Sequence, residues 1–514
     1  MDYFFHIYSR LRALLRRHPS IVFGLIFCIS WALFLVFQWS VQFPDPDSFY
    51  HAKMAQLLAT RGIIRDFPWA HFTLLNDFYI DQHLLYHVFL VPFVIFLPPL
   101  VGLKIFTALF AALFVTVFCW VLRQLNVQFY AVWSALLLIT VPFLFRISLA
   151  KAVSMALVFL FVGLYLFIRG RRGWLLAVWA AVYVWAYGGF FLLAGLGFMY
   201  ALVHYIASRD FKKSWRPLLW TGIGTALGVV INPYFPKNIV YFWQQFVQIG
   251  VINYSAKIGV GGEWYPYGWF ELMKGSLVLT TLVVACVVWF VWHLRRQRAL
   301  SWAALLWMLF FLAFTLKSRR YVEYYVPFAV FFVAVMGDDI IRAVWRRWAR
   351  GHFWRTFWHR AALVTGILYL SLVVPAVVVK DWQQNLRDTH NGIPLGKFSQ
   401  SSRWLAANSE AGDIVFHSDW DEFPVLFYYN DKDYYIVGLD PTFMYNYNQD
   451  LYWKWARITL GEQADDLYGI IQGDFQARWV FMENDHTAMR KNIAATDGFV
   501  LVYQDDEVTI FKVE

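Results

Sequence analysis

The chain has 514 residues, of which 60% are hydrophobic and only 15% are charged. Soluble domains average about 25% charged residues, so this composition predicts an integral membrane protein and excludes an ordinary soluble enzyme. The net charge is +10, but the basic residues stand in short loops between apolar segments, as membrane topology requires. We therefore expect no nucleic-acid partner.

Apolar runs of about 20 residues, each long enough to cross a bilayer, recur over the first 380 residues. Placing every basic cluster on the cytoplasmic side gives a consistent alternation. It predicts about eleven membrane-spanning helices in the cytoplasmic (inner) membrane, with a cytoplasmic N-terminus. The predicted spans are 20–41, 101–122, 128–145, 152–168, 173–187, 189–207, 217–233, 274–294, 300–317, 321–337 and 361–380.

Two long loops then lie on the outer side, residues 42–100 and 234–273, and they carry most of the acidic residues that precede position 381. The apolar segment 84–97 within the first loop is too short to cross and is predicted to be interfacial or re-entrant. Loops of this length usually carry function. The working face is therefore predicted to be extracytoplasmic.

The composition changes at residue 381. From there to the end the chain carries 10 Lys and Arg against 22 Asp and Glu, whereas the first 380 residues carry 34 against 12. Five segments rich in β-branched and aromatic residues are typical of strands, and helical patterns lie between them. We predict a transmembrane domain over 1–380 and a soluble, periplasmic or otherwise extracytoplasmic α/β domain over 381–514.

Two carboxylates, Asp45 and Asp47, stand directly after the first apolar segment in PDPDSFYH, which ends at His51. A charge at a bilayer edge has to be solvated, paired or used. One interpretation is a solvated loop that caps the next helix. The other is a catalytic base or a ligand of Mg²⁺ or Mn²⁺, which bind carboxylate oxygens and neutralise a leaving phosphate.

Asp81, His83 and His87 lie near one face of a predicted helix in the same loop. The spacing of the two histidines is that of many zinc-binding pairs, but the sequence offers no obvious third ligand. Polar contacts at the membrane interface and contact with a substrate are the two interpretations.

The second outer loop contains a lone carboxylate, Glu263, among aromatic residues. Beyond it, Arg319 and Arg320 lie at the outer end of a span, where the positive-inside rule disfavours cations. Arginine forms fork-like contacts with phosphate, so both are predicted to bind an anionic headgroup. A structural pair with Glu323 is the alternative.

The segment SDWDEFP, residues 418–424, follows a predicted strand of the C-terminal domain. Trp420, Asp419, Asp421 and Glu422 would form a strand-to-helix loop that can face the membrane. A simple turn with a helix cap is the alternative.

The order of these motifs resembles that of the GT-C superfamily of polyprenyl-phosphate-dependent glycosyltransferases, and within it the catalytic subunit of bacterial and archaeal oligosaccharyltransferase. The resemblance spans the whole chain. It is carried by DSFYH from Asp47 to His51 (similar to D-x-[YF]-Y-H), RISLAK after Pro142 (S-R-S-x-A-G), WAYGGF from Trp185 to Phe190 (W-G-G-Y), Glu263-x-x-Pro266-x-x-Trp269 (E-x-x-P-x-x-W), Arg320 followed by Pro327, and DWDEF (W-W-D-Y-G).

The chain also departs from that pattern. The second acidic pair is replaced by Val153 and Met155, so two expected metal ligands are missing, and Trp420-Asp421 keeps only part of W-W-D-Y-G. These differences argue against classical asparagine glycosylation. They leave the acceptor open between a protein, a glycan and a lipid.

The resemblance implies an oligosaccharyltransferase-like enzyme that transfers a sugar or oligosaccharide from a polyprenyl-phosphate or polyprenyl-diphosphate donor on the extracytoplasmic face, with inversion. It implies Asp47 as general base or metal ligand, Glu263 as its partner around Mg²⁺ or Mn²⁺, and Arg320 with Arg319 as ligands of the donor phosphate. The residues assigned to the acceptor or to supporting positions are Asp45, His51, Asp81, His83, Trp420 and Asp421.

Three alternatives accompany this reading. A monosaccharide transferase with a polyprenyl-monophosphate donor needs fewer metal ligands, which suits the replacement of the second acidic pair. A non-catalytic scaffold for glycan assembly is the second alternative. A transporter is the third, but the spans contain almost no acidic residues and no inverted repeat.

Overall fold

A computed structural model describes residues 19–349, 364–366 and 368–514. Two of the basic clusters predicted to be cytoplasmic are Arg10–Arg16 and Arg342–Arg350 with its continuation to Arg360. The first cluster, the second beyond residue 349, and residues 361–363 and 367 of the predicted span 361–380 lie outside these ranges.

Helices dominate the described chain up to residue 390. In chain order they are α1 (Pro19–Gln38), α2 (Asp47–Arg61), α3 (Leu75–Phe78), α4 (Leu84–Phe96), α5 (Pro99–Gln124), α6 (Tyr130–Ala135), α7 (Val141–Ser148), α8 (Val153–Arg169), α9 (Gly173–Ala186), α10 (Phe191–Ser208), α11 (Phe211–Val230), α12 (Lys237–Trp243), α13 (Trp269–Gly275), α14 (Leu277–Trp292), α15 (Ala299–Lys317), α16 (Val322–Ala349) and α17 (Val374–His390). Shorter 3₁₀ segments are Leu136–Ile139, Tyr254–Ala256, Gly262–Trp264, Leu294–Arg296 and Arg319–Tyr321, and π segments are Gln244–Ile252 and Tyr369–Val373.

Five helical segments of the described chain are long and apolar enough to cross a membrane, and the number rises to seven if each of two bent pairs forms one span. The eleven predicted crossings are therefore not confirmed. Helices α8 and α9 have 17 and 14 residues, fewer than the ~20 that a bilayer requires. The five segments are Pro19–Gln38, Pro99–Gln124, Phe191–Ser208, Ala299–Lys317 and Val364–His390.

The predicted span 128–145 is wrong as a single helix. The segment Tyr130–Ile139 meets α7 at an angle of 81°. Thr140 at the bend has extended backbone, and Pro142 occupies the first turn of α7, where its missing N–H costs no hydrogen bond. The bend matters for function because Arg146 lies near the end of α7 and Lys151 lies in the turn that follows.

Helices α9 and α11 approach closely because glycine lies where they cross. A Cβ atom on Gly224 would lie 2.0 Å from the carbonyl oxygen of Ala177, and one on Gly228 would lie 2.6 Å from that of Ala181. Small residues are the usual means by which membrane helices pack without a hydrophobic driving force.

The C-terminal part contains a five-stranded sheet in the order β4-β3-β5-β7-β6. Strand β3 runs parallel to β4 and β5, and β7 runs antiparallel to β5 and β6. Each of the five segments predicted to be strands contains one of them: β3 (Ile414–His417), β4 (Tyr434–Tyr435), β5 (Trp479–Glu483), β6 (Phe499–Gln504) and β7 (Val508–Val513). The helices around them are α18 (Ser399–Asn408), α19 (Phe423–Tyr429), α20 (Pro441–Tyr447), α21 (Gln449–Thr459) and α22 (Thr487–Ala494), with a π segment at Gly469–Asp474.

The sheet is fastened to the first outer loop. The backbone N–H of His71 donates to the carbonyl oxygen of Tyr435 at 2.7 Å, which continues the hydrogen bonding of β4. Lys53 in α2 forms an ion pair with Asp431 at 2.9 Å. The two-residue strands β1 (Gln42–Phe43) and β2 (Ile393–Pro394) pair antiparallel. These contacts hold the segment that carries Asp47 against the C-terminal sheet.

The glycine contact gives a test of the helix packing. We expect Gly224→Leu to lower the melting temperature of the purified protein in detergent, because overpacking of a close contact costs about 1–3 kcal/mol. Gly222→Leu in the same helix is the matched control, since a Cβ there meets no atom within 4 Å. Equal melting temperatures of the two variants would show that α9 and α11 are not packed as described.

Candidate active site

A cavity of about 570 Å³ opens between the two outer loops, the α7–α8 turn and the C-terminal sheet. All predicted site residues except Arg319 and Asp81 line it, and four further charged residues that were not assigned to the predicted site join them. The predicted lining residues are Asp45, Asp47, His51, His83, Glu263, Arg320, Trp420 and Asp421, and the additional ones are Arg146, Lys151, Asp419 and Asp440.

Lys151 lies at the centre of the carboxylates. Its Nζ atom is 2.8 Å from an oxygen of Asp45, 2.9 Å from one of Asp47 and 3.9 Å from one of Glu263. The side chain is only 11% exposed, so the ammonium has exchanged most of its water for carboxylate oxygens. Burial raises the pKa of Asp45 to about 6, although Lys151 opposes the shift.

Glu263 binds three cations. Its Oε1 atom accepts a hydrogen bond from Arg320 at 2.7 Å, and its Oε2 atom accepts one from Arg146 and lies near Lys151. Burial alone would raise the pKa of this carboxyl, but Lys151, Arg320 and Arg146 together hold it well below its usual range. Glu263 therefore stays ionised and arranges the cations instead of accepting a proton.

Arg146 is held between two glutamates. Its Nε and Nη2 atoms donate to one oxygen of Glu323 at 3.0 and 2.6 Å, while Nη1 donates to Glu263. Glu323 is fully buried. The sequence analysis considered Glu323 as the partner of Arg319 or Arg320. That pairing is wrong, because the bend before α7 brings Arg146 to Glu323 instead.

Arg320 retains hydrogen-bonding capacity toward the cavity. Its guanidinium lies 4.8 Å from the ring centroid of Trp264 and contacts Glu263 through one nitrogen. Tyr187 is a further hydrogen-bonding partner. The guanidinium offers five N–H donors and is 22% exposed, so donors remain for an anion.

Arg319, predicted to share the phosphate with Arg320, does not line the cavity. Its side chain is half-exposed and contacts Glu271 at 3.3 Å. It also lies over the ring of Tyr267. The structure thus leaves Arg320 as the arginine of this pair that faces the site.

Buried imidazoles form one wall of the cavity. Asp81 Oδ2 lies 2.6 Å from His87 Nδ1, and His87 Nε2 lies 2.8 Å from His51 Nδ1. With Asp81 accepting from His87, and His87 accepting from His51, the second nitrogen of His51 is an acceptor. Burial lowers the pKa of His51 and of His83 well below the usual value, so both are neutral at pH 7.

The opposite wall carries acids from the C-terminal part. Trp420 lies over Gly261 of the second outer loop, and Asp421 follows it. Burial raises the pKa of Asp421 to about 7. Asp440, which the sequence analysis missed, caps α20 by accepting the N–H of Thr442 at 2.8 Å, and burial raises its pKa to about 6. These acids accept and, when protonated, donate hydrogen bonds.

Arg146 and Lys151 are the main omission of the sequence analysis. Both belong to RISLAK, residues 146–151, which was compared with the family pattern for the acids that are absent from the following positions 153 and 155. The signal that could have found them is the one that indicated Arg320: the predicted topology places these cations on the outer side, where the positive-inside rule disfavours them.

The predicted divalent metal does not fit these residues. Asp47 and Glu263, its predicted ligands, both face the ammonium of Lys151. Within residues 19–349, 364–366 and 368–514, no three His, Cys, Asp or Glu side chains are grouped so that they could hold a metal ion. Val153 presents an apolar side chain to the cavity where the resemblance implies an acid.

The buried pair gives a second test. Arg146→Met leaves Glu323 buried without its cation, which typically costs about 3–5 kcal/mol, and we expect a clear loss of thermal stability in detergent. Arg146→Met combined with Glu323→Gln removes both charges and is expected to recover much of that loss. Arg319→Met is the control, because an exposed pair contributes about 0–1 kcal/mol. Equal melting temperatures for Arg146→Met and Arg319→Met would contradict the buried pair.

Comparison with known proteins identifies the fold. Neither a protein-family model nor a curated protein sequence matches the chain. Among solved structures, the oligosaccharyltransferase AglB from Archaeoglobus fulgidus, in complex with an inhibitory peptide and a dolichol-phosphate, aligns with a TM-score of 0.65 at 12% identity, over 97% of this chain and 75% of that one.

Two further glycosyltransferases align at similar levels. ArnT from Cupriavidus metallidurans, bound to undecaprenyl phosphate, gives a TM-score of 0.56 at 15% identity over 96% of this chain and 97% of ArnT. The mycobacterial arabinofuranosyltransferase AftD gives 0.58 at 15% identity, over 96% of this chain and 40% of AftD.

Another structure of the Archaeoglobus fulgidus enzyme contains zinc and sulfate and gives 0.54 at 11% identity. The chain therefore has the fold of the GT-C membrane glycosyltransferases, which is the resemblance that its motifs indicated.

Proposed function

We propose that the protein is a membrane glycosyltransferase that moves a sugar or oligosaccharide from a polyprenyl-phosphate or polyprenyl-diphosphate donor to an acceptor on the extracytoplasmic face. The observation that carries the proposal is the cavity in which Asp47 and Arg320 face the same space. One supplies a proton acceptor and the other an anion ligand. The GT-C fold supports the same reaction class.

The donor phosphate is assigned to Arg320. Planar guanidinium groups suit phosphate because two parallel N–H donors match two phosphate oxygens. Glu263 and Trp264 hold the arginine from one side. A phosphate that binds the free edge would place the anomeric carbon of the sugar inside the cavity, with the lipid extending between the helices.

The proton acceptor is assigned to Asp47. One of its oxygens contacts Lys151, while the side chain is still 29% exposed, so the other oxygen is able to meet an acceptor. The acceptor atom forms a bond to the anomeric carbon as the bond from that carbon to the phosphate oxygen breaks. The electron pair leaves with the phosphate beside Arg320, the acceptor proton passes to Asp47, and the anomeric centre inverts.

The acceptor is assigned to the wall that carries Trp420, Asp421 and Asp440. An indole ring and carboxyl groups near their pKa bind hydroxyl-rich or amide groups, which suits a protein, a glycan or a lipid headgroup. Asp45, His51 and His83 are assigned to the remaining lining of the cavity. Asp81 does not line it and is assigned a supporting position, in which it orients His51 through His87. The Mg²⁺ or Mn²⁺ ion predicted from the sequence is not part of the proposal, because Lys151 lies between its predicted ligands.

For the topology, we propose an inner-membrane protein with a cytoplasmic N-terminus, a membrane domain over 1–380 and an extracytoplasmic domain over 381–514. The support is that both long loops, 42–100 and 234–273, contribute to one cavity together with the C-terminal sheet. All of them must therefore lie on the same side of the membrane.

A second candidate function is a monosaccharide transferase with a polyprenyl-monophosphate donor. It is favoured by the pairing of Arg146 with two glutamates, which leaves Arg320 as the less engaged of the two arginines that line the cavity, since a monophosphate carries less charge than a diphosphate. The lipid product distinguishes a monophosphate donor from a diphosphate donor, because it retains one phosphate after transfer from the monophosphate and two after transfer from the diphosphate.

The proton acceptor is tested with Asp47→Asn. The purified protein is incubated with lipid-linked sugars extracted from membranes, and mass spectrometry follows loss of sugar from the lipid and the phosphate count of the product. We expect a rate at least ~100-fold lower than wild type, the usual scale for removal of a general base. Asp66→Asn in the same loop is the control, because that side chain is 91% exposed.

A wild-type protein that consumes no lipid-linked sugar would favour the non-catalytic scaffold. Full activity of Asp47→Asn would exclude Asp47 as the base. Native melting temperatures of both variants establish that a lost rate is not a lost fold.

The phosphate ligand is tested with undecaprenyl phosphate as the probe. Arg320→Met is expected to weaken its binding by about 10- to 100-fold, since a hydrogen bond to a charged group is worth about 1.5–3 kcal/mol. Arg319→Met is expected to leave binding unchanged, because that guanidinium lies outside the cavity. Native mass spectrometry or a change in tryptophan fluorescence measures both. Equal weakening in the two variants would refute the assignment.

A further inference from the structure

We propose that the ammonium of Lys151 is the resident cation of this site, in the position between Asp45, Asp47 and Glu263 that a divalent metal would otherwise occupy, and that transfer is metal-independent. The statement that transfer is metal-independent, the catalytic half of this inference, rests on the proposed function. The statement that Lys151 occupies the site between the three carboxylates, the binding half, does not.

The first support is the geometry around Nζ. Two carboxylate oxygens lie at 2.8 and 2.9 Å and a third at 3.9 Å. Hard divalent ions also prefer carboxylate oxygens, but in the part of the chain that the structure describes these side chains are not grouped closely enough to hold one. A divalent ion bound to these oxygens would lie against the ammonium and repel it, so the two cations exclude one another.

The second support is that the carboxylates come from distant parts of the chain. Asp45 and Asp47 precede and begin α2, whereas Glu263 belongs to the 3₁₀ segment Gly262–Trp264. Lys151 stands in the turn between α7 and α8 and reaches both groups. Because a lysine held by three acids is 11% exposed, removing it would leave like charges buried together, which is unfavourable.

The third support is the charge balance of the surrounding wall. Val153 and Met155 stand where the resemblance implies two acids, Val153 lines the cavity, and Met155 is fully buried. With fewer carboxylates, a single positive charge suffices to hold Asp45 and Asp47 in place. Arg146 and Arg320 already pair with both oxygens of Glu263. A divalent metal would therefore find few carboxylate oxygens without a cationic partner.

The role of Lys151 is then to position the base. By contacting one oxygen of Asp47 and one of Asp45, the ammonium fixes the orientation of the Asp47 carboxylate and offsets the repulsion between the two acids. The N–H of Asp47 also donates to Asp45 at 3.0 Å, so the two aspartates are held from two directions. Lys151 is a positioning residue, and Arg320 receives the leaving phosphate.

The test measures Mn²⁺ binding to the purified protein by electron paramagnetic resonance. Wild type is expected to leave the signal of free Mn²⁺ unchanged. Lys151→Ala removes the competing ammonium and leaves the three carboxylates to close on Mn²⁺, so the variant is expected to bind it at least ~10-fold more tightly than wild type, with a melting temperature that rises on Mn²⁺ addition. Lys237→Ala, at a half-exposed lysine of the second outer loop, is the control and is expected to behave as wild type.

Two results would overturn the inference. One is a stoichiometric Mn²⁺ site in wild type that Asp47→Asn abolishes, and the other is a folded Lys151→Ala that gains no Mn²⁺ binding. If Lys151→Ala does not fold, the wild-type titration with its Asp47→Asn partner decides alone.

The catalytic half is measured on wild type with a chelator. Treatment with EDTA is expected to change sugar consumption by less than about 2-fold, because ammonium–carboxylate pairs, unlike metal sites, lose nothing to a chelator. Loss of activity that Mn²⁺ restores would overturn metal independence while leaving the proposed transferase function intact. A protein without transferase activity would refute the proposed function, and the Mn²⁺ titration would still decide what the carboxylates hold.

Discussion

The structure depends on one buried network of charges. Lys151, Arg146 and Arg320 converge on Glu263, and through Lys151 the network extends to Asp45 and Asp47. Taking charges out of water is expensive, and only close pairing offsets the cost. Each member must therefore lie where its partners are. As a result the first outer loop, the α7–α8 turn, the second outer loop and the start of α16 are held together by electrostatic attraction.

The same network separates the chemical roles of its members. Glu263 contacts three cations, so its carboxylate has no capacity left for a proton. Arg146 uses its nitrogens on two glutamates and has little to offer a ligand. Asp47 contacts one cation and Arg320 one carboxylate, and both remain partly exposed. Groups that are incompletely paired are the ones able to bind and react, which is why the proposed chemistry rests on these two.

The sequence predicted some members of this network and missed two of its cations. Asp47, Glu263 and Arg320 were predicted to meet because motif order and sidedness placed them on one face, and they line one cavity. Lys151 and Arg146 were missed because the motif RISLAK was compared with the family pattern only for its acidic residues, and its two basic residues were not considered. The partner of Glu323 was beyond prediction, because it depends on the 81° bend before α7. The strands of the C-terminal sheet were predictable from composition, whereas the eleven spans predicted from hydropathy are not confirmed, since five to seven segments of the described chain are long and apolar enough to cross.

The histidines that line the cavity are uncharged because a buried charge needs a close partner of opposite sign. His51 stands one helical turn after Asp47 on α2, and its ring is buried against His83, Tyr86 and His87, where a charged imidazole would lose its solvation. Burial lowers the pKa of His51 and His83, and both stay neutral. His51 is linked to His87 and, through it, to Asp81. The wall therefore supplies hydrogen-bond acceptors without adding charge. Lys151 is left as the cation in contact with the proposed base, and Asp47 has one cationic partner to orient it and one oxygen for chemistry.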